Sequence, residues 1–577
     1  MQGLPWYRPT RINHLVSGGD FGWRQGTDKW RVWYPDSLPS NLDIGLASPT
    51  AVKNVPESFR PASNPGDGGA ILACDWAYGR IHWVDLGPSG ASYVGKDRPF
   101  ISGRPLNACD VEFGPDNSLY FVIGGRRTQS GIYRVVRVGS PEKPAAPTAE
   151  EVARMEAAKQ ARETRRQLEK FHGRENPAAV DAAWPYLSHA DVWLRHAARV
   201  ALEAQPSASW RERALAEQNA MGGLQALLAL VRVGQPSDCD AVLDRLAKFD
   251  WKGLIKEERI ALLRIYQLVL IRWGEQAKPH AEMLRTRMEN LYPADFVEGN
   301  DLLCELLVHL ESPQLVKKTL PLLDAASTPE EKLHYLMCLR LVKGPWEIEQ
   351  RKLYFAWLQR AEKFPGAHYM PRFLEYIRQD AIATLREEEK VALGDLLKPA
   401  PTEDKYGDLP PRVFVKDWKL EDFQQELSTA THKPVAGDVA SGKELFVAAQ
   451  CARCHRYQGE GSLVGPDLSS VGKRFGPRDM LLHTIEPSKV IDDKYKQVTL
   501  YTVQGQVLVG QQVAADAESL SVITDPTQPT KVTRVLRSDI EELKPSLLSP
   551  MPAGLLNTLE REEVMALLYY LQQGEAK

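Results

Sequence analysis

The sequence predicts a multidomain protein of mixed α and β class, in which β-rich, helical and mixed segments follow one another. A length of 577 residues is too great for one hydrophobic core, so about three domains are expected. Short strand-like runs divided by Gly, Pro, Asn and Asp fill residues 1–140, whereas amphipathic helical patterns fill residues 176–400. A cysteine–histidine motif that begins at Cys451 marks a third, C-terminal domain over residues 437–577.

Charge and hydropathy exclude two classes of protein. The formal net charge is −3 and the pI is about 6.5, so the chain lacks the basic excess of a nucleic-acid-binding protein. No run of about 18 apolar residues occurs, so the sequence predicts no transmembrane segment.

The first 140 residues carry turn signals about every ten residues, a spacing typical of a β-sandwich, barrel or propeller. Clear strand candidates are residues 70–73, 80–84, 118–123 and 131–135. Between two of them, Pro115 fixes φ and the pair Asp116–Asn117 tolerates a left-handed backbone, which predicts a tight turn.

The middle of the chain changes to helix-forming composition. Residues 141–175 form a Pro/Ala linker followed by an exposed helix over 150–170. From 176 to 400, paired amphipathic helices without a strict repeat indicate a HEAT-like α-solenoid, and Asp191 is a plausible N-cap. A second Pro-rich linker with one short helix occupies 401–436. The helices predicted after residue 205 are 207–218, 221–233, 237–248, 255–273, 299–311, 312–323, 329–342, 347–363 and 367–386.

Cys451, Cys454 and His455 form a C-x-x-C-H motif. Two thiols at this spacing can each add to a haem vinyl group, and the histidine that follows can bind the iron. The alternatives are half of a zinc site, which needs further ligands nearby, and a thiol-redox pair, which needs a preceding strand. The surrounding sequence supplies neither, so we predict one covalent haem c with its iron on His455.

The sequence around the motif resembles class I cytochromes c. Gly442 and Phe446 share a helix face ahead of the motif, and the last helix, 560–573, offers Tyr569 or Tyr570 to pack over that glycine. The resemblance further implies that the backbone carbonyl of Pro466, 11 residues after the histidine, accepts the imidazole N–H.

The second axial ligand is predicted to be Met551. It stands in a loop stiffened by prolines on both sides, which holds a thioether in place at little entropic cost, and the methionine loop of class I cytochromes lies there. His483 and a water-bound open site are the rivals. Met551 is 96 residues after His455, and an inserted β-unit over 494–545 accounts for 52 of them. Strands are predicted in that unit at 497–503, 506–513 and 520–524.

Four runs in the β-rich part carry a wider resemblance, together with the inserted β-unit and the Pro–Met–Pro loop. The chain looks similar to large haem-binding C-x-x-C-H proteins of planctomycetes and verrucomicrobia, whose propeller is distantly similar to sugar dehydrogenases of the quinoprotein glucose or sorbosone type. The resemblance implies a six-bladed propeller, of which 140 residues supply about half. The four runs are Arg-Ile-Asn-His at 11–14, Gly-Gly-Asp-Phe-Gly-Trp-Arg at 18–24, Asp-Trp-Ala-Tyr-Gly-Arg-Ile at 75–81 and Gly-Gly-Arg-Arg at 124–127.

No catalytic residue of such a dehydrogenase maps onto this half propeller. His14 and the pair Arg126–Arg127 either face a central channel or have structural roles, and the structural interpretation is the simpler one. Cys74 and Cys109 could pair in an oxidising compartment, although spacing does not show it. The cysteines in apolar helical surroundings are interpreted as buried thiols: Cys239, Cys304 and Cys338.

Covalent haem implies a periplasmic or otherwise exported protein, so we expect that the chain lacks an upstream portion with the export signal and further blades. The first functional hypothesis is a c-type cytochrome that transfers single electrons to or from a redox partner protein and is linked to a sugar or alcohol dehydrogenase activity. The second is a scaffold in which haem is a sensor or a structural element. The third is an enzyme that oxidises a sugar or alcohol and reduces its own haem.

Overall fold

The computed structural model describes residues 9–21, 31–45, 47–60, 68–103, 105–125, 130–139, 146–364, 370–399, 412–428, 438–462, 464–491, 495–526 and 531–573. In these ranges no helix combines the length and the apolar composition that crossing a bilayer requires.

The β-rich part contains antiparallel sheets whose strands follow one another along the chain. A two-stranded sheet joins β1 (Arg11–Ile12) to β2 (Leu42–Asp43). A second sheet has the order β3 (Pro49–Asn54), β4 (Ala70–Asp75), β5 (Arg80–Ser89), β6 (Ser92–Ser102). A third has the order β7 (Ala108–Phe113), β8 (Leu119–Ile123), β9 (Gly131–Val135).

The second and third sheets share one hydrophobic core, to which Ile81 and Trp83 contribute from β5 and Leu119 from β8. Side chains two apart on a strand point to the same face, which is why Ile81 and Trp83 both enter this core. Asn117 adopts a left-handed backbone with φ of 57°, as the tight-turn prediction requires. The strands that the structure describes here form separate sheets, and the six-bladed propeller stays a prediction.

The middle part consists of helices and short connections in the ranges that the structure describes. One row of helices runs along this part, and each helix of the row packs against the next. The row consists of α1, α3, α5, α7, α10, α12 and α14, and the other helices lie beside it. One continuous apolar core runs along the array. The HEAT-like repeat itself stays a prediction. The helix bounds are α1 Ala149–Glu169, α2 Ala179–Ala183, α3 Val192–Glu203, α4 Arg211–Ala216, α5 Ala220–Val233, α6 Cys239–Ala247, α7 Lys256–Arg272, α8 Gly274–Ala277, α9 Ala281–Leu291, α10 Val297–His309, α11 Leu315–Ala325, α12 Pro329–Leu339, α13 Ile348–Ala361, α14 Met370–Ile382 and α15 Glu387–Leu393.

The helix prediction was right at α3 and incomplete at α9. Asp191 caps α3, because its side chain accepts a hydrogen bond from the Trp193 amide at 2.8 Å. Helix α9 was missed because only Leu284 and Met288 of its eleven residues are buried, so its apolar stripe is narrow.

A buried ion pair joins the N-terminal segment 31–45 to the helices. Asp36 is fully buried and accepts two hydrogen bonds from the Arg264 guanidinium of α7, at 3.1 and 2.9 Å. The same guanidinium lies 4.2 Å from the ring centroid of Tyr34. Because removing one partner would leave an uncompensated buried charge, this contact holds the β-rich part on the helical array.

Acid is expected to weaken this junction through His196 on α3. Its Nε2 donates to the Gly18 carbonyl at 3.0 Å, and burial together with the charge of Arg199 lowers its pKa to about 3. In the unfolded chain the His196 imidazole takes up a second ring proton near pH 6.5, whereas in the folded chain it stays neutral. The free energy of unfolding therefore falls as the pH drops below about 6.5. At pH 5 the decrease that is due to His196 is about 2 kcal/mol.

Urea unfolding at pH 7 and pH 5 checks this expectation. His196→Gln keeps a donor near Gly18 but does not titrate, so its stability should change less between the two pH values. An equal change in the wild type and in His196→Gln would contradict the assignment.

The C-terminal part consists of short helices around the motif and one inserted sheet. The helices are α17 Asp438–Ala448, α18 Val471–Arg474, α19 Pro477–Ile485 and α20 Arg561–Gln573, preceded by α16 Gln424–Ser428, and a two-stranded sheet joins β10 Arg456–Tyr457 to β11 Glu460–Gly461. The inserted sheet has the order β15 Thr533–Leu536, β14 Ser519–Ile523, β13 Val507–Ala515, β12 Val498–Thr502, β16 Ile540–Pro545. Only β12, β13 and β14 were predicted from the sequence.

Part of the predicted second linker belongs to this C-terminal core. Trp418 and Phe423 are buried in it, and Trp418 Nε1 donates to the Leu559 carbonyl at 3.0 Å. Arg412 forms an ion pair with Glu563 of α20 at 2.5 Å. Residues 412–428 therefore cover the C-terminal part instead of merely connecting to it.

The β-rich part also contacts the C-terminal part. The turn between β4 and β5 places Trp76 and Tyr78 against α18, with the Arg474 guanidinium 5.4 Å from the Trp76 ring and Lys473 Nζ 5.1 Å from the Tyr78 ring. The Leu106 amide donates to the Lys473 carbonyl at 3.4 Å. The Asp-Trp-Ala-Tyr-Gly-Arg-Ile run of the sequence therefore contacts the C-terminal domain, as does Leu106.

Candidate haem-binding site

The C-x-x-C-H motif folds into one tight turn directly after α17. Gln450 reverses the chain with a left-handed backbone, and Cys451–Arg453 form a single 3-10 turn. The His455 amide then donates to the Cys451 carbonyl at 2.8 Å. Cys451 is buried, and Cys454 is partly exposed. Both thiols are free, and burial raises the pKa of Cys451 to about 12 and the pKa of Cys454 above its usual range, so both sulfur atoms are present as thiols in this fold.

His455 is held in one orientation and one tautomer. Its Nδ1 lies 2.8 Å from the backbone oxygen of Pro466, and a carbonyl can only accept, so the proton is on Nδ1. Burial lowers the pKa of the imidazole, which keeps the ring neutral. The lone pair is therefore on Nε2, the atom that a histidine held in this way presents to a metal.

Two glycines leave the room that this histidine needs. A Cβ on Gly465 would lie 2.7 Å from Cε1 and 2.8 Å from Nδ1 of the imidazole. A Cβ on Gly461, which has a φ of 95°, would lie 2.2 Å from the His455 carbonyl oxygen. The imidazole therefore packs directly on backbone, an arrangement that the motif alone did not reveal.

The helices that flank the motif cross closely at a glycine. A Cβ on Gly442 of α17 would lie 2.3 Å from the Cβ of Tyr570 in α20. Of the two tyrosines proposed from the sequence, Tyr570 packs over the glycine, with Phe446 at 6.4 Å between ring centroids. The hydroxyl of Tyr457, which the sequence did not single out, donates to the Tyr570 carbonyl at 2.5 Å and ties the motif to this crossing.

Met551 differs from the other methionines of this domain. Met480 and Met565 are packed inside the hydrophobic core, whereas Met551 is partly buried in a loop outside it. The Met551 amide donates to Ser549 Oγ at 3.1 Å, and the Ser549 amide donates to Ser488 Oγ at the same distance. These bonds fix the loop backbone close to the thioether.

The rival ligand His483 lies in α19. Its ring meets Phe475 edge-on, with 5.5 Å between ring centroids, and burial lowers its pKa. The zinc alternative needs more ligands than the motif supplies, and in the described ranges no group of three or more His, Cys, Asp or Glu side chains could hold a metal ion. The two free thiols, the neutral fixed imidazole and the separate methionine fit haem c with its iron.

Other positions singled out from the sequence lie in the β-rich part. His14 Nδ1 lies 2.9 Å from Ser92 Oγ, which agrees with a structural role for this histidine. Arg126 and Arg127 lie outside the described residues. Cys74 and Cys109 are both free thiols, and Cys109 Sγ donates to the Gly124 carbonyl at 3.2 Å.

The cytochrome c family model matches residues 439–500, which include the motif turn, the Pro466 carbonyl and helices α17 to α19. No curated protein matches the chain significantly. The match ends at residue 500, inside strand β12 of the inserted sheet, and therefore does not reach Met551. A cytochrome c domain implies covalently bound haem, electron transfer and a redox partner, and bacterial domains of this kind are typically exported. The chain therefore carries a C-terminal cytochrome c domain.

Proposed function

We propose that the protein is an exported c-type cytochrome with one haem c, in which His455 and Met551 are the axial ligands of the iron and Cys451 and Cys454 hold the haem covalently. The hydrogen bond between His455 Nδ1 and the Pro466 carbonyl carries this proposal, because it leaves a neutral Nε2 as a ready ligand. When bound, the haem supplies one-electron redox chemistry.

The residues of this chain have separate tasks in that chemistry. Pro466 fixes the orientation and the tautomer of the imidazole, burial keeps the ring neutral, and Gly465 allows the ring to lie against the backbone. The hydrogen-bonded loop around Ser549 would hold the Met551 thioether as the second ligand of the iron. A haem held by two side chains in this way would transfer electrons without binding a substrate at the iron.

We further propose that the electrons come from a sugar or alcohol dehydrogenase activity linked to the β-rich part. The contacts of Trp76 and Tyr78 with α18 support this link, because they place the β-rich part directly against the cytochrome domain. Turnover of sugars and alcohols by the purified holoprotein, measured with an artificial electron acceptor, tests it. A holoprotein that oxidises none of them would favour the scaffold function.

The attachment of haem is tested by replacing the motif cysteines with alanine. The protein is produced with an added export signal in a host that matures c-type cytochromes. We expect the wild type to retain haem after denaturation and acid-acetone extraction, and the variant with both Cys451→Ala and Cys454→Ala to lose it completely, because each thioether bond to haem uses one of these two sulfur atoms.

Cys239→Ala is the matched control. It removes a buried thiol of α6, far along the chain from the motif, and should leave covalent haem unchanged. Haem that is extracted from the wild type, or retained equally in the double variant, would disprove covalent attachment at the motif.

A further inference from the structure

The loop that carries Met551 has little apolar packing on its C-terminal side. In the described part of the chain, none of residues 552–555 belongs to the hydrophobic core of the domain, and Leu556 is the first residue after the methionine that does. A cavity of about 230 Å³ borders this stretch and is also lined by residues 417–421 and 484–486. Contacts other than core packing must therefore hold this side of the loop.

Backbone hydrogen bonds from residues 412–428, which we name the covering segment, supply the first of these contacts. The amides of Val415 and Lys416 both donate to the Asn557 carbonyl, at 2.8 and 3.2 Å. The Asn557 amide in turn donates to the Gly554 carbonyl at 3.0 Å, which closes a turn between the methionine and this anchor. The loop is thus fixed a short distance beyond its methionine.

Two side chains of the covering segment hold the next two carbonyls of the same stretch. Arg412 Nε donates to the Thr558 carbonyl at 3.1 Å, and Trp418 Nε1 donates to the Leu559 carbonyl at 3.0 Å. The Arg412 guanidinium also pairs with Glu563 at 2.5 Å, so that it ties the covering segment to α20 as well. Trp418 and Leu559 are both buried in the core, where a polar group that loses its partner costs more free energy than at the surface.

We propose that the covering segment is a clamp that positions Met551 as the second ligand of the iron, with Arg412 and Trp418 as positioning residues. The inference rests on the proposed function, in which Met551 binds the iron. The Ser549 hydrogen bonds hold the loop ahead of the methionine, and the clamp holds it behind. Because both ends are held, the thioether stays near one position, and little entropy is lost when it binds.

The clamp makes the release of Met551 depend on contacts with a distant part of the chain. An added ligand such as imidazole binds the iron only in molecules whose methionine has left it. The apparent affinity for imidazole therefore rises in proportion to the fraction of molecules in which the loop is open. If opening breaks the clamp, losing one of its hydrogen bonds should raise that fraction about fivefold to tenfold.

Imidazole titration of the purified ferric holoprotein tests the clamp. Trp418→Phe keeps an aromatic ring and removes the donor to Leu559, whereas Arg412→Met keeps an extended side chain and removes the donors to the loop and to α20. We expect each variant to bind imidazole about five to ten times more tightly than the wild type. Met551→Ala should bind it more tightly still. If Trp418→Phe does not fold, Arg412→Met alone decides.

Two control variants make the same chemical changes without removing a contact to the loop. Trp346→Phe removes an indole N–H that donates to the Val342 carbonyl at 2.8 Å in the helical part. Lys416→Met removes one positive charge from the covering segment, as Arg412→Met does, but the Lys416 ammonium pairs with Asp422 at 2.6 Å instead of with the loop. Both controls should bind imidazole as the wild type does.

Hydrogen exchange of the peptide that contains residues 549–559 is a second measurement, which follows the loop itself and not the iron. Backbone amides of the loop exchange when it opens locally. Exchange should therefore be faster in Trp418→Phe and Arg412→Met by about the same factor as imidazole binding is tighter. Unchanged exchange in both variants would overturn the proposal.

The titration also separates the clamp from the proposed function. The clamp is overturned if Met551→Ala binds imidazole more tightly than the wild type while Trp418→Phe and Arg412→Met do not, or if the controls change as much as these two variants. If Met551→Ala and the wild type bind imidazole equally, no methionine has to leave the iron. That outcome contradicts the ligand assignment of the proposed function, and the clamp proposal falls with it.

Discussion

Replacing Met551 by alanine is expected to lower the reduction potential of the haem by a few hundred millivolts, within the range of about 0.8 V that axial ligands span. A thioether ligand stabilises ferrous iron and thereby raises the reduction potential. Without it, water or a nitrogen ligand takes its place and stabilises ferrous iron less. A spectroelectrochemical titration of the purified holoprotein measures the change.

Met565→Leu is the control for this experiment. Met565 is buried in the core on α20, and leucine has nearly the same volume, so the potential should stay close to that of the wild type. If Met551→Ala has the wild-type potential, Met551 is not the ligand. The same titration on His483→Ala then decides between the histidine rival and an open site, and an open site would favour a sensor or scaffold.

Replacing Gly442 by valine is expected to lower the free energy of unfolding of the cytochrome domain by about 3 kcal/mol. Even the first atom of the new side chain would lie 2.3 Å from the Tyr570 Cβ, and 3.1 Å from the Ala566 carbonyl oxygen. Both are on α20, so the helices must separate. Urea unfolding, monitored by haem absorbance, measures the decrease in the free energy of unfolding.

Glu444→Val provides a matched control on the same helix. Glu444 is exposed two residues from Gly442, and the substitution introduces the same β-branched side chain without a clash. We expect a change of at most about 0.5 kcal/mol. If the two variants unfold at the same urea concentration, the close crossing of α17 and α20 does not limit stability.

Much of the candidate site could be predicted because its chemistry is local in sequence. The three motif residues lie within one turn, and the Pro466 carbonyl follows 11 residues later. In contrast, the contact of Gly465 with the imidazole appears only when the chain folds back on His455. Tyr457 was missed for the same reason, since its partner Tyr570 is 113 residues away.

The strands were predicted less completely than the helices. In the β-rich part, β6 (Ser92–Ser102) was missed because it has few buried residues and is rich in charge along one half. In the inserted unit, β15 and β16 were missed for a similar reason, since β16 carries exposed side chains at nearly every position. Such strands are held by backbone pairing with a neighbour, which leaves little trace in hydrophobic periodicity.

The sequence by itself determined the cytochrome motif, the succession of β-rich, helical and C-terminal segments, and the methionines available as ligands. Only the tertiary structure decided that Tyr570 rather than Tyr569 packs on Gly442, because α20 is apolar on both sides and periodicity cannot choose between adjacent residues. It also decided that Trp76 and Tyr78 contact α18. These contacts depend on how separate elements dock, and packing between distant segments is not encoded in local spacing.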